Sequence, residues 1–272
     1  KIYNEYMELG LRYPPTFTQV STTEEASAVL RSTVIDLVIC MPGNADNDAF
    51  DVARDIKSRF PNIHCVVLTP FSHGITKRME NEDLSIFDYV FCWLGNTNLI
   101  LSIIKLIEDK MNLEHDIQEA GVQMILLVED SIRFYSSILP NLYNYILEQS
   151  KNFSKEALNR HAATMRMRGR PKVVLARTYE EAQKLYDKYS NNTLGVISDA
   201  RFPLKSAAKA FGNKVETEAK PKHRTDTFGR EKCPDAGLQL FRYIRKNDPF
   251  VPLILESSES DNRAKAEAEG FR

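Results

Sequence analysis

The sequence predicts an α/β protein built as two doubly wound parallel sheets in tandem. Short apolar runs such as DLVIC (36–40) and QMILLV (123–128) lack polar alternation, the pattern of strands covered on both faces. They alternate with amphipathic stretches of about a dozen residues, the length of a helical crossover between parallel strands. The order of runs then starts again after Gly121, and repetition at that scale signals a duplicated domain, since solenoid repeats are shorter. A chain of 272 residues fits two domains at about 150 residues each.

In the first half, FTQV (17–20) reads as a strand and TTEEASAVLR (22–31) as a helix, begun by Thr22 with Glu25 at capping-box spacing. DLVIC (36–40), HCVVLT (64–69) and YVFCW (89–93) follow as strands. Helices are expected at 49–60, near 75–83 and at 98–111. The charged stretch NLEHDIQEAG (112–121) reads as the separator of two domains, 1–113 and 122–272. The second half gives strand 123–128, a helix from Ser131, an extra helix over 154–168, strand 172–177, helix 178–189 and strand 194–198. Helix 236–247 and strand 252–257 complete it. Insertions are expected near 150–170 and over 201–234, and the second, being polar and basic without apolar periodicity, reads mostly as a mobile loop. The chain opens in what reads as mid-helix and closes on AEAEGFR, so the first copy is expected to lack its first strand and the second copy its last.

Composition excludes several classes. With 36 basic and 37 acidic residues the net charge of -1 supplies no global attraction to nucleic acid or to an anionic membrane. The four cysteines contain no C-x-x-C pair, which disfavours a zinc site and a disulfide framework and suits a reducing, cytoplasmic setting. No run reaches the roughly 18 apolar residues of a membrane span, and the N-terminus has no signal-peptide pattern. RMRGRPK (166–172) invites a minor-groove reading, but it abuts a strand, and a basic, solvated turn is the expected role. The five histidines share no ligand spacing, and neither G-x-G-x-x-G nor a Walker-type loop occurs.

The chemistry lies at strand ends. Glu129 and Asp130 terminate one apolar run and Asp199 another, and in an open parallel sheet such ends meet where the strand order reverses. Asp130 or Asp199 alone could cap a helix. Three together repel, and a hard divalent cation such as Mg²⁺ relieves the repulsion while leaving a carboxylate able to attack a phosphoryl group.

These residues resemble the receiver domain of bacterial two-component response regulators, over most of 122–271. The match comprises Glu129 and Asp130 after the first strand, Asp199 after the third, DAGLQLFRYIRK (235–246) and VPLILESS (251–258). The resemblance implies two flavodoxin-like receiver folds, with Asp199 as phosphoacceptor. Glu129, Asp130 and Asp199 would hold Mg²⁺, and Ser257 would be the phosphate-sensing hydroxyl. A histidine kinase or other phosphodonor, and a downstream catalytic or output domain, are the implied partners. The family's last-strand lysine has no counterpart in the sequence. The first half resembles a degenerate receiver, with Met41 in the acceptor place, Cys92 in the lysine place and Thr69 keeping the hydroxyl. RYPPTFTQVS, LTPFS, DYVFCWLGN, LLVEDSIRFYSSILPNLY and MRMRGRPKVVLAR also resemble the N-terminal regulatory region of bacterial proteins related to phosphoenolpyruvate synthase and pyruvate phosphate dikinase. The rival readings are an unphosphorylated interaction scaffold and a metal-dependent phosphatase using the acids directly.

Overall fold

The computed structural model describes residues 2–8, 13–41, 49–70, 84, 86–205, 225–226, 229–257 and 259–270. The protein is α/β with parallel sheets, and it divides into two compact units, 1–107 with 136–152, and 108–135 with 153–272.

The first unit holds α1 (Ile2–Glu8), α2 (Thr23–Ser32), β1 (Leu37–Cys40), α3 (Ala49–Arg59), β2 (His64–Pro70) and β3 (Tyr89–Trp93). Its strands form a parallel sheet in the order β1-β2-β3. The central strand is the most buried, with Cys65, Val66 and Val67 at 0% exposure. The predicted cap is present, with the reciprocal bond one residue earlier than in a regular capping box: Thr22 Oγ1 accepts from Glu25 N at 3.2 Å, and Glu25 Oε2 accepts from Ser21 N at 2.9 Å. Asp88 ties the start of β2 to the segment entering β3, accepting from Cys65 N and Lys57 Nζ and bonding His64 Nδ1. Residues 17–20 form no strand, contrary to expectation, because no neighbouring strand among the described residues offers them a ladder. The helix expected near 75–83 lies outside the described residues.

Two helices reach across the division of the chain. α4 (Asn98–Ala120) runs through the stretch expected to separate domains. Leu113 and Ile117 keep its apolar face in register, so the charges of 112–121 decorate a helix, and Gly121 stops it at φ 60°. α5 (Ile132–Lys155) takes the first residues of the expected 154–168 helix. The remainder is α6 (Arg160–Arg168), started by Asn159, whose side chain accepts from Ala162 N at 2.8 Å.

The second unit adds β4 (Met124–Val128), β5 (Lys172–Ala176), α7 (Tyr179–Tyr189), β6 (Thr193–Asp199), β7 (Phe202–Pro203), β8 (Lys232–Cys233), α8 (Ala236–Asn247), β9 (Leu253–Glu256) and α9 (Ser260–Ala268). Four strands make a parallel sheet ordered β5-β4-β6-β9, and β7 and β8 pair antiparallel beside it. Met124, Leu126, Val128, Val174 and Val196 join the core that Tyr186, Leu240, Phe241 and Ile244 cover. The expected solvated turn at 166–172 is instead internally paired, because a buried carboxylate claims it. Asp109 takes both Arg170 guanidinium nitrogens, at 2.6 and 3.1 Å, and Val173 N at 3.0 Å, while Lys172 pairs with Asp116 at 2.6 Å. Parts of 201–234, expected as a loop, are folded: beyond the β7–β8 ladder, Thr225 bridges to Glu231, and Asp226 holds Arg230 in a buried ion pair at 2.6 Å. Residues 206–224 lie outside the described residues. No helix among the described residues is long and apolar enough to cross a membrane.

Candidate metal centre

The chain leaves β4, crosses to β5 on one side and returns to β6 on the other, so the strand order reverses between the carboxyl ends of β4 and β6. Register makes this a meeting point of acids. Val128 is level with Ser198, so the next residue on each strand is Glu129 and Asp199. A ligand oxygen from each of Glu129, Asp130 and Asp199 lies within 4.8 Å of the others. Sequence reasoning therefore named three acids that the fold does bring together.

None of the three caps a helix. α5 is entered through Ser131 and α8 through Asp235. Glu129 Oε1 accepts from Ser131 N at 2.9 Å, and Asp199 Oδ1 accepts from Ala200 N at 2.7 Å. Asp130 is fully buried; its Oδ2 lies 2.7 Å from Lys232 Nζ, and its Oδ1 has no hydrogen-bond partner among the described residues.

Burial is the main force on all three carboxyl groups. It pushes Glu129 up to about 9, with the Asp199 and Asp130 charges adding to the rise. Asp130 rises to about 6, burial outweighing the opposing pull of Lys232. Asp199 is raised by burial against the Ala200 N–H, Lys232 and Arg201. A site that penalises its own charge is poised for a cation, and this donor set is all oxygen, as a hard divalent ion requires. The orphaned Oδ1 of Asp130 is the observation that best fits such an ion.

Ser257 sits just past β9, exposed, with its Oγ accepting from Glu259 N at 3.1 Å and from Asn262 Nδ2 at 2.9 Å. No hydrogen bond among the described residues joins it to the acids. In the first unit, Met41 follows the end of β1 and is 57% exposed, Thr69 Oγ1 donates to Phe91 O at 3.3 Å, and Cys92 N donates to Ser136 Oγ at 3.0 Å. No second group of metal-ligating side chains occurs among the described residues.

Two site residues escaped the sequence reading. Lys232 belongs to REKCPD, where nothing distinguishes it from the other basic residues of that segment. Gly237 lets α8 approach: a Cβ there would collide with the Asp199 carbonyl oxygen, and its N–H donates to Ala200 O at 3.1 Å. The sequence did contain that signal, a glycine in the first turn of a strongly patterned helix, though not its partner.

Compared with protein-family models the chain matches none, and no curated protein matches it either.

Proposed function

We propose that the second unit is a flavodoxin-like receiver module, in which Asp199 accepts a phosphoryl group while Glu129, Asp130 and Asp199 hold Mg²⁺. The observation that carries this reading is the carboxylate trio at the switch point, with Asp130 fully buried and its Oδ1 lacking both a hydrogen bond and an ion pair among the described residues. The order β5-β4-β6-β9 supports it, being that of the first four strands of the flavodoxin-like arrangement. Bound there, a divalent cation would neutralise the carboxylates and the incoming phosphoryl oxygens.

The chain's residues then have distinct parts. The Ala200 and Arg201 N–H groups orient the Asp199 carboxylate, whose Oδ2 is the oxygen proposed to attack phosphorus. With acetyl phosphate as donor, the new bond joins Oδ2 to phosphorus, the acyl O–P bond breaks, and acetate leaves with the electron pair. Glu129 is oriented by the Ser131 N–H, and burial of Asp130 keeps its carboxylate out of competition with water. Ser257, on the neighbouring strand's end, is the hydroxyl proposed to read the phosphoryl group. The first unit is proposed as a degenerate copy of the same fold, acting by binding alone, and the whole as a regulatory region answering to a phosphodonor and acting on an output domain.

Intact-mass analysis of the chain after treatment with acetyl phosphate and Mg²⁺ tests the reading. One added phosphoryl group is expected, absent in Asp199→Asn. Equal labelling of both proteins would refute it.

A further inference from the structure

An ammonium group reaches the acids from outside the four-stranded sheet, by way of β8. β8 pairs with β7, which starts three residues after Asp199, and the register sets Lys232 against Pro203 and Cys233 against the fully buried Phe202. The Thr225–Glu231 bridge and the Asp226–Arg230 pair fix the turn that precedes it. The Lys232 side chain is 17% exposed, so it is committed to the site, with Nζ 2.7 Å from Asp130 Oδ2.

We propose that Lys232 is a tethered counter-cation which determines what can enter the carboxylate site: a metal ion must displace its ammonium from Asp130. This rests on the metal-site reading above. An ammonium 2.7 Å from Oδ2 and a metal about 2.0–2.6 Å from Oδ1, unpartnered among the described residues, would face each other across one buried carboxylate, where like charges repel strongly, and that repulsion drives the ammonium off. Exchange of the tethered lysine for a monovalent ion gains no charge. A divalent ion gains one, so Lys232 selects for divalent cations. Its departure also loosens the short β7–β8 ladder from the acids, so occupancy of the site is transmitted to that ladder. Lys232 is thus an occupancy-determining residue, with no part in bond making.

The test is Mn²⁺ binding to the full chain, followed by the paramagnetic resonance of free Mn²⁺. Lys232→Met keeps the apolar stem and removes the charge, and Lys232→Arg retains the charge. Lys232→Met is expected to bind Mn²⁺ at least about tenfold more tightly than wild type, a difference of about 1.4 kcal/mol. Lys232→Arg should stay near wild type. Amide exchange at Phe202 and Cys233 should quicken on Mn²⁺ addition in wild type, while in Lys232→Met it should be fast already and unchanged. Equal or weaker binding by Lys232→Met, with binding abolished in Asp130→Asn, would overturn the displacement and leave the metal site standing. Failure of every form to bind Mn²⁺, or undiminished binding by Asp130→Asn, would overturn both.

Discussion

Glu129 shows most plainly how a site can be unfavourable to itself. Its carboxyl ionises near 4.5 in the unfolded chain but is pushed up to about 9 in the folded protein, mainly by burial. Between those values the folded state holds a proton that the unfolded state has released, so stability falls as pH rises through that window. The thermal midpoint of the metal-free protein should therefore decline from about pH 4.5 to about pH 9, and Glu129→Gln should flatten the decline. Saturating Mg²⁺ should offset it at the alkaline end, because the ion favours the ionised carboxylates. A midpoint that climbs over the window in the metal-free protein would contradict the burial assigned to this group. Asp109 is the opposite case, a buried carboxylate fully served by Arg170 and the Val173 N–H. Asp109→Ala strands a guanidinium that is 6% exposed and should cost about 3–5 kcal/mol in urea unfolding. A loss below about 1 kcal/mol, the worth of a surface pair, would mean that Arg170 finds solvent.

At the level of elements, α8 is held against β6 by a missing side chain. In an open helix Gly→Ala gains about 1 kcal/mol, but Gly237→Ala sets a methyl group against the Asp199 carbonyl oxygen and Leu255 Cδ1. Overpacking at about 1–3 kcal/mol outweighs that gain, so a net loss of stability is expected, together with slower phosphoryl uptake as Asp199 shifts. A stabilised Gly237→Ala would show that α8 yields easily. The strands around this helix were legible in the sequence because unbroken apolar runs mark buried parallel strands, and the acids at 129, 130 and 199 were legible because strand ends are where such runs stop. What was not legible depended on partners distant in sequence. FTQV has strand composition but no ladder; 112–121 has linker composition but carries Leu113 and Ile117 at helical spacing. Asn159 divides what reads as one helix, and Lys232 acquires its role only because Phe202 and Cys233, far apart in sequence, pair in the fold.

Across the whole molecule, each unit presents a parallel sheet, and among the described residues only the second carries a group of metal-ligating acids. In the first, the corresponding strand ends offer the exposed thioether of Met41 and the buried thiol of Cys92, neither suited to a hard cation. The chain should therefore take up one phosphoryl group, and Met41→Asp alone should leave that stoichiometry at one, since it supplies a single carboxylate without companions. Two groups per wild-type chain would place phosphorylation in the first unit as well. The central claim, that Asp199 is the acceptor, is tested most directly by trapping the acyl phosphate. After treatment with acetyl phosphate and Mg²⁺, borohydride reduces an aspartyl phosphate to homoserine, and peptide mass analysis locates it. Homoserine at position 199, absent when Mg²⁺ is withheld, is the predicted result; homoserine at another acid, or none at all, would contradict it.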